Sequence, residues 1–151
     1  MDKSYKYTLM CEKAGEIQKD HIFEDGDYFA KNMSNCEDRN DLFVEEEDYY
    51  EDDKQYRIEQ RRVLLYFDCS DEYYMYDTTG AIWLPRQDQL QNMITKKYFG
   101  SIAIFEEFFR FFDENWEDIN FDSAEQLWLV FVMNEEFGKQ WSEEKSKWMG
   151  L

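Results

Sequence analysis

His21 is the sole histidine, so any triad or histidine general base in this chain must run through it. No serine or cysteine near it forms a known nucleophile signature, and the sequence predicts a surface histidine in a charged loop. Cys11, Cys36 and Cys69 lie far apart, are odd in number and include no pair at metal-ligand spacing. Neither a zinc site nor a disulfide framework is expected from them. Acidic spacing invites a calcium reading, and it fails in detail. Asp113, Asn115 and Glu117 fall at positions 1, 3 and 5 of a calcium-binding loop, but Asp118 stands where glycine is required and Ala124 where glutamate is. Glycine-rich phosphate loops are missing, and carboxylate pairs are so numerous that none is singled out for hydrolysis. The expectation is a protein that is not an enzyme, with no cofactor and no resident metal.

One segment does carry binding chemistry. Glu45, Glu46, Glu47, Asp48, Tyr49, Tyr50, Glu51, Asp52 and Asp53 place seven carboxylates around two tyrosines with no base among them. In an extended chain, carboxylates two residues apart stand about 6.6–6.8 Å from each other on one face. That row resembles a line of phosphates, and tyrosine adds rigid contact area at low entropy cost. The sequence therefore predicts this run as the partner-binding site, against the plainer alternative of a solvated acidic loop. Lys54, Arg57, Arg61 and Arg62 follow it closely enough to pair with it internally.

The whole composition points the same way. With 35 acids against 17 bases, the 151 residues carry a net charge of −18, whereas a small soluble domain usually carries a magnitude of about 2–8. Such a field repels phosphate and anionic lipid, so direct contact with nucleic acid or membrane is not expected; what it attracts is a basic surface. No apolar run approaches the roughly 20 residues of a membrane span. The start, MDKSYKYTLMCEK, lacks a signal-peptide pattern, and the cysteine usage fits a reducing compartment, so the chain reads as cytoplasmic. An aromatic content of 19% argues against disorder.

The elements needed to position these residues read as α+β: a small antiparallel sheet covered by about four helices, with an all-helical C-terminal half. No Pro-, Gly- or Ser-rich linker divides the chain, which predicts a single domain over 1–151. Its layers are a Tyr- and acid-rich α+β part at 1–84 and an aromatic-rich helical part at 85–151. YKYTLMCEKAGEIQKDH reads as helix, with Leu9, Ala14 and Ile17 on one stripe beside Tyr5 or Tyr7 and with Gly15 as its weak point. Residues 27–31, 42–44 and 56–58 read as extended and 34–41 as loop. RVLLYFD at 62–68 is the best strand pattern, and 73–77 with 81–84 read as a hairpin around Gly80. Pro85 suits a first helical position before Leu90, Met93 and Ile94, with a stop at Gly100. Ser101 is placed to cap a helix whose Phe105, Phe108, Phe109, Phe112 and Trp116 make one stripe. Asp122 with Glu125 reads as a capping box for a third helix, running through LWLVFVM to Gly138. Phe111, Trp141 and Trp148 fall off these stripes and are candidates for exposed anchors.

Several strings resemble a group of small proteins encoded in phages and prophages of Gram-positive bacteria. They are Met10-Cys11-Glu12-Lys13-Ala14 with Glu16-Ile17-Gln18, then Gly26-Asp27, then WLPRQDQLQNMI, and then EQLWLVFVMNEEFGKQW. The resemblance spans both ends and the middle of the chain, while the tract at 36–53 has no counterpart in that group. It implies a bacterial host cytoplasm and an origin, without a mechanism. Joined to the charge, it predicts an inhibitor of a basic, nucleic-acid-handling host defence protein, a CRISPR effector or a restriction enzyme, acting by nucleic-acid mimicry. The alternative is a phage accessory or structural protein whose charge serves solubility only.

Overall fold

Ser4 Oγ accepts from the Tyr7 N–H at 3.2 Å and starts α1 (Tyr5–Lys13). The computed structural model describes residues 1–19, 21–24, 26–32, 56–60, 80–98, 100–114 and 120–151. In α1 and just past it, Tyr7, Met10, Cys11 and Ala14 form an i, i+3, i+4, i+7 stripe with no exposure at all. The expected Leu9 is only half-buried, so the true stripe is turned from the predicted one. Gly15 falls at a break, not inside one long helix: Ala14 leaves helical geometry, and the short α2 (Gly15–Lys19) follows and buries Ile17.

β1 (Tyr28–Asn32) is the centre of a three-stranded antiparallel sheet, flanked by β2 (Tyr56–Gln60) and β3 (Ile82–Leu84). Ala30 lies opposite Ile58 on one side, and Phe29 opposite Trp83 on the other. The sheet is covered on both faces where it meets β3. Ala30 and Leu84 enter the main core, while Phe29 and Trp83, pointing the other way, are buried outside that cluster. β3 thus pairs with β1; its expected hairpin partner at 73–77 lies outside the described residues, as do 34–41, 42–44 and 62–68.

Pro85 sits one residue before the cap and not at the first helical position: Arg86 caps α3 (Gln87–Ile94), and Gln89 Oε1 accepts from its N–H at 2.9 Å. The Pro85 carbonyl is used by the Tyr7 hydroxyl, which ties α1 to this turn. Leu90 and Ile94 are fully buried against the core, and Met93 packs beside them half-buried. In α4 (Ser101–Glu114) the buried row is Ile104, Phe108 and Phe112, one side chain per turn. Phe105 and Phe109, expected in that core, are exposed instead; Trp116 lies outside the described residues.

α5 (Ala124–Phe137) is the central helix. Its cap is Ser123, not Asp122: Ser123 Oγ accepts from the Gln126 N–H at 3.1 Å. The buried Gln126, not Glu125, answers it, accepting from the Asp122 N–H at 3.2 Å and donating to Asp2 at 2.7 Å. Trp128, Leu129, Val130, Phe131, Val132 and Met133 are all buried, so the middle of this helix is enclosed on every side. Trp128 stacks on Phe108 at 4.1 Å, with Phe131 edge-on to both.

The C-terminal half is not all helical. Gly138, with φ 59°, ends α5 and turns the chain into a hairpin of β4 (Lys139–Ser142) and β5 (Lys147–Gly150). Its driving contact is a cross-strand pair, Trp141 opposite Trp148, with the rings edge-to-face at 5.2 Å. Trp148 Nε1 donates to the Met10 carbonyl at 3.0 Å. Both tryptophans are therefore buried anchors of the fold and not exposed anchors for a partner, and Phe111 is packed half-buried against the same core. With the five-residue α2 counted, the described residues form five helices, α2 being the one beyond the expected four or so.

Candidate functional site

The predicted partner-binding residues 45–53 lie outside the described residues, as do Lys54, Arg61 and Arg62. Arg57 lies on β2, opposite Lys31 of β1.

His21 is held far more firmly than a loop histidine. Its ring lies flat on Trp83, at 3.5 Å and 5° between planes, with Phe23 edge-on at 5.0 Å. Nε2 lies 2.9 Å from Asp27 Oδ2, and only 14% of the side chain is exposed. A carboxylate only accepts, so His21 Nε2 is the donor. Asp27, itself buried, also accepts from the Glu24 N–H at 2.8 Å and from Gln89 Nε2 at 2.5 Å. Nearby, Gln18 donates to the Cys11 and Trp83 carbonyls and accepts from the Trp83 N–H, while Arg86 donates to the Gly26 carbonyl. The histidine–aspartate pair has the look of a base and its orienter, but it closes the outer face of the sheet over Trp83. Asp27→Ala strands three donors and should cost about 2–3 kcal/mol in denaturant melts. His21→Ala loses a stack and one hydrogen bond and should cost about 1 kcal/mol, with partner binding intact. A folded His21→Ala protein that no longer binds would refute the structural role.

Other reactive groups are also occupied. Burial pushes the Cys11 thiol up, so its nucleophilic thiolate is not formed at neutral pH. Burial, together with a 2.6 Å hydrogen bond to Glu135, pushes the Tyr98 phenol up. Burial alone would raise Glu135, but the Tyr98 hydroxyl and Lys97 outweigh it and hold the carboxyl below its usual range. Glu135 therefore stays a carboxylate at the lip of an open cleft of about 280 Å³ between α4 and α5. Glu107, Arg110, Glu114 and Gln140 line the same cleft. Arg110 is paired with Glu107 and Lys97 with Glu135, whereas Glu114 has no ion pair among the described residues. Such a cleft suits a cationic side chain. Among the described residues, no group of three or more His, Cys, Asp or Glu is placed to hold a metal ion.

α4 presents the most unusual surface. Ile102, Phe105 and Phe109 lie along one face, exposed by 77%, 41% and 65%. Phe105 leans edge-on against Trp128 at 5.6 Å, so its inner edge is anchored while its outer edge meets solvent. Glu106 and Asp113 are exposed on that face too, and a second open cleft of about 470 Å³ adjoins it at Phe109, Arg110, Phe112 and Asp113.

The chain matches no protein-family model, no curated protein and no solved structure.

Sequence reasoning missed the α4 face because it placed Phe105 and Phe109 in the buried stripe and offered Phe111 as the exposed residue of that helix. The signal was present: Phe105, Phe108, Phe109, Phe111 and Phe112 wrap too much of one helix for a single stripe to bury.

Proposed function

We propose that this chain is a non-enzymatic binding protein of phage type that inhibits a basic, nucleic-acid-handling defence protein of a bacterial host, a CRISPR effector or a restriction enzyme. It does so by occupying the surface that nucleic acid would use. The observation that carries this reading is the net charge of −18 on 151 residues, well beyond what solubility needs. The row Glu45–Asp53 supplies carboxylates at phosphate-like spacing with two tyrosines for contact area. The strings that resemble phage proteins supply the bacterial cytoplasm as the setting. The occupied state of His21, Cys11 and Tyr98 fits binding better than catalysis. No helix among the described residues is long and apolar enough to cross a membrane.

The test is capture from bacterial host lysate at low salt, followed by the salt dependence of the recovered pair. A nucleic-acid-binding protein should be recovered, and its affinity should fall steeply between low and moderate salt. Recovery of no such protein at low salt overturns the reading. A partner that holds equally well at all salts points instead to an accessory or structural role in the phage.

A further inference from the structure

We infer that α4 is a docking face for an amphipathic helix of the partner, apolar along one side and carrying Lys or Arg along its flank. This rests on the inhibitor reading above and names one contact that it uses. Ile102, Phe105 and Phe109 form an apolar ridge at i, i+3 and i+7, which is the pattern a partner helix meets with its own apolar stripe. Monomeric proteins usually expose large apolar side chains singly, and an aligned set rimmed by polar groups marks an interaction surface.

The rim chooses the occupant. Glu106 and Asp113 lie on the ridge face, two turns apart, or roughly 10.5 Å along the axis. Glu114 stands beside it at the cleft between α4 and α5. All three are exposed, and none has an ion pair among the described residues, while Arg110 is engaged by Glu107. Among the described residues, the ridge is thus apolar with uncompensated negative charge. A second copy of this chain would bring like charges together, each copy carrying −18. The exposed parts of the three side chains amount to roughly 350 Å², taking about 150–250 Å² for an aromatic residue. A standard interface needs about 800 Å² per partner, so the ridge is one contact within a larger interface, and it is the charge that selects the occupant. Nucleic acid and anionic lipid are repelled by the same carboxylates. A basic amphipathic helix satisfies both halves: apolar side chains cover the ridge, and cations two turns apart reach Glu106 and Asp113.

The probe is a fluorescently labelled synthetic helix of Leu and Lys in amphipathic order, with anisotropy as the readout. Two companions serve as controls, a Leu/Glu helix of the same pattern and a Lys/Ser peptide of the same charge. Ile102→Ser and Phe109→Ser change side chains that are mostly in solvent, so melting temperatures should stay close to that of the parent. Each should weaken binding of the Leu/Lys helix by about tenfold and leave the Lys/Ser peptide unaffected. Glu106→Gln with Asp113→Asn should weaken it and flatten its salt dependence. Equal binding of the Leu/Lys helix by parent and Phe109→Ser overturns the inference, as does equal binding of the Leu/Glu helix. A dimer in sedimentation that Phe109→Ser dissociates also overturns it. The two readings fail separately. A captured host protein that holds Phe109→Ser as tightly as the parent sinks the ridge alone. Ridge variants that lose the Leu/Lys helix, when no nucleic-acid-binding protein is captured, sink the inhibitor reading alone.

Discussion

Trp128→Ala should destabilise the protein by about 3–5 kcal/mol, the range for removing a large aromatic side chain from a packed interior. Trp128 is 2% exposed and is the joint between two helices. Its ring stacks on Phe108 of α4 and meets Phe131 of α5 edge-on, and it also backs Phe105 from below. No neighbour can swing in to refill that volume without giving up its own ring contacts. Because native stability is typically about 5–15 kcal/mol in total, a loss of that size removes a large share of it. Chemical denaturation with tryptophan fluorescence and far-UV circular dichroism checks this. A loss below 1 kcal/mol would show that the Phe108–Trp128 stack is not the centre of the core.

Replacing Glu45, Glu46, Glu47, Asp48, Glu51, Asp52 and Asp53 by Gln or Asn should leave the fold intact and slow partner association sharply. The change removes seven like charges from nine consecutive residues, and relieving their mutual repulsion costs the native state little. Long-range attraction sets encounter rate more than residence time, so the association rate should fall and the salt dependence flatten. Tyr49→Ala and Tyr50→Ala should act on the other rate, speeding dissociation through lost contact area. Unchanged affinity in the neutralised variant at low salt would move the interface away from this row, with the α4 ridge as the next place to look.

Local chemistry made parts of the fold legible. Leu90 with Ile94, the run from Trp128 to Met133 and the stop at Gly138 all stand where periodicity and glycine placed them. The α5 cap was legible to within one residue: Asp122, Ser123, Glu125 and Gln126 offer two overlapping boxes, and burial of Gln126 against Asp2 decides for Ser123. Tertiary choices were not legible. In α4, several phases of the helix put phenylalanine inward, and only the position of Trp128 selects Ile104, Phe108 and Phe112. Trp141 and Trp148 look stray until the hairpin sets them opposite each other over Met10. His21 looked like a surface group because its partners, Asp27 and Trp83, come from different elements. The acidic row is an expectation from composition that lies outside the described residues, whereas the ridge depends on which face of α4 is left uncovered by α5.

The hydrogen bond from Trp148 to the Met10 carbonyl joins groups 138 positions apart in the sequence. On a ribosome adding about 5–20 residues per second, the Met10 carbonyl is made roughly 7–28 seconds before this tryptophan exists. During that interval the Met10 face has no tryptophan to close it, and the nascent chain shows an apolar stripe to chaperones. The contact between Trp148 and the first helix therefore forms only after β5 has been synthesised.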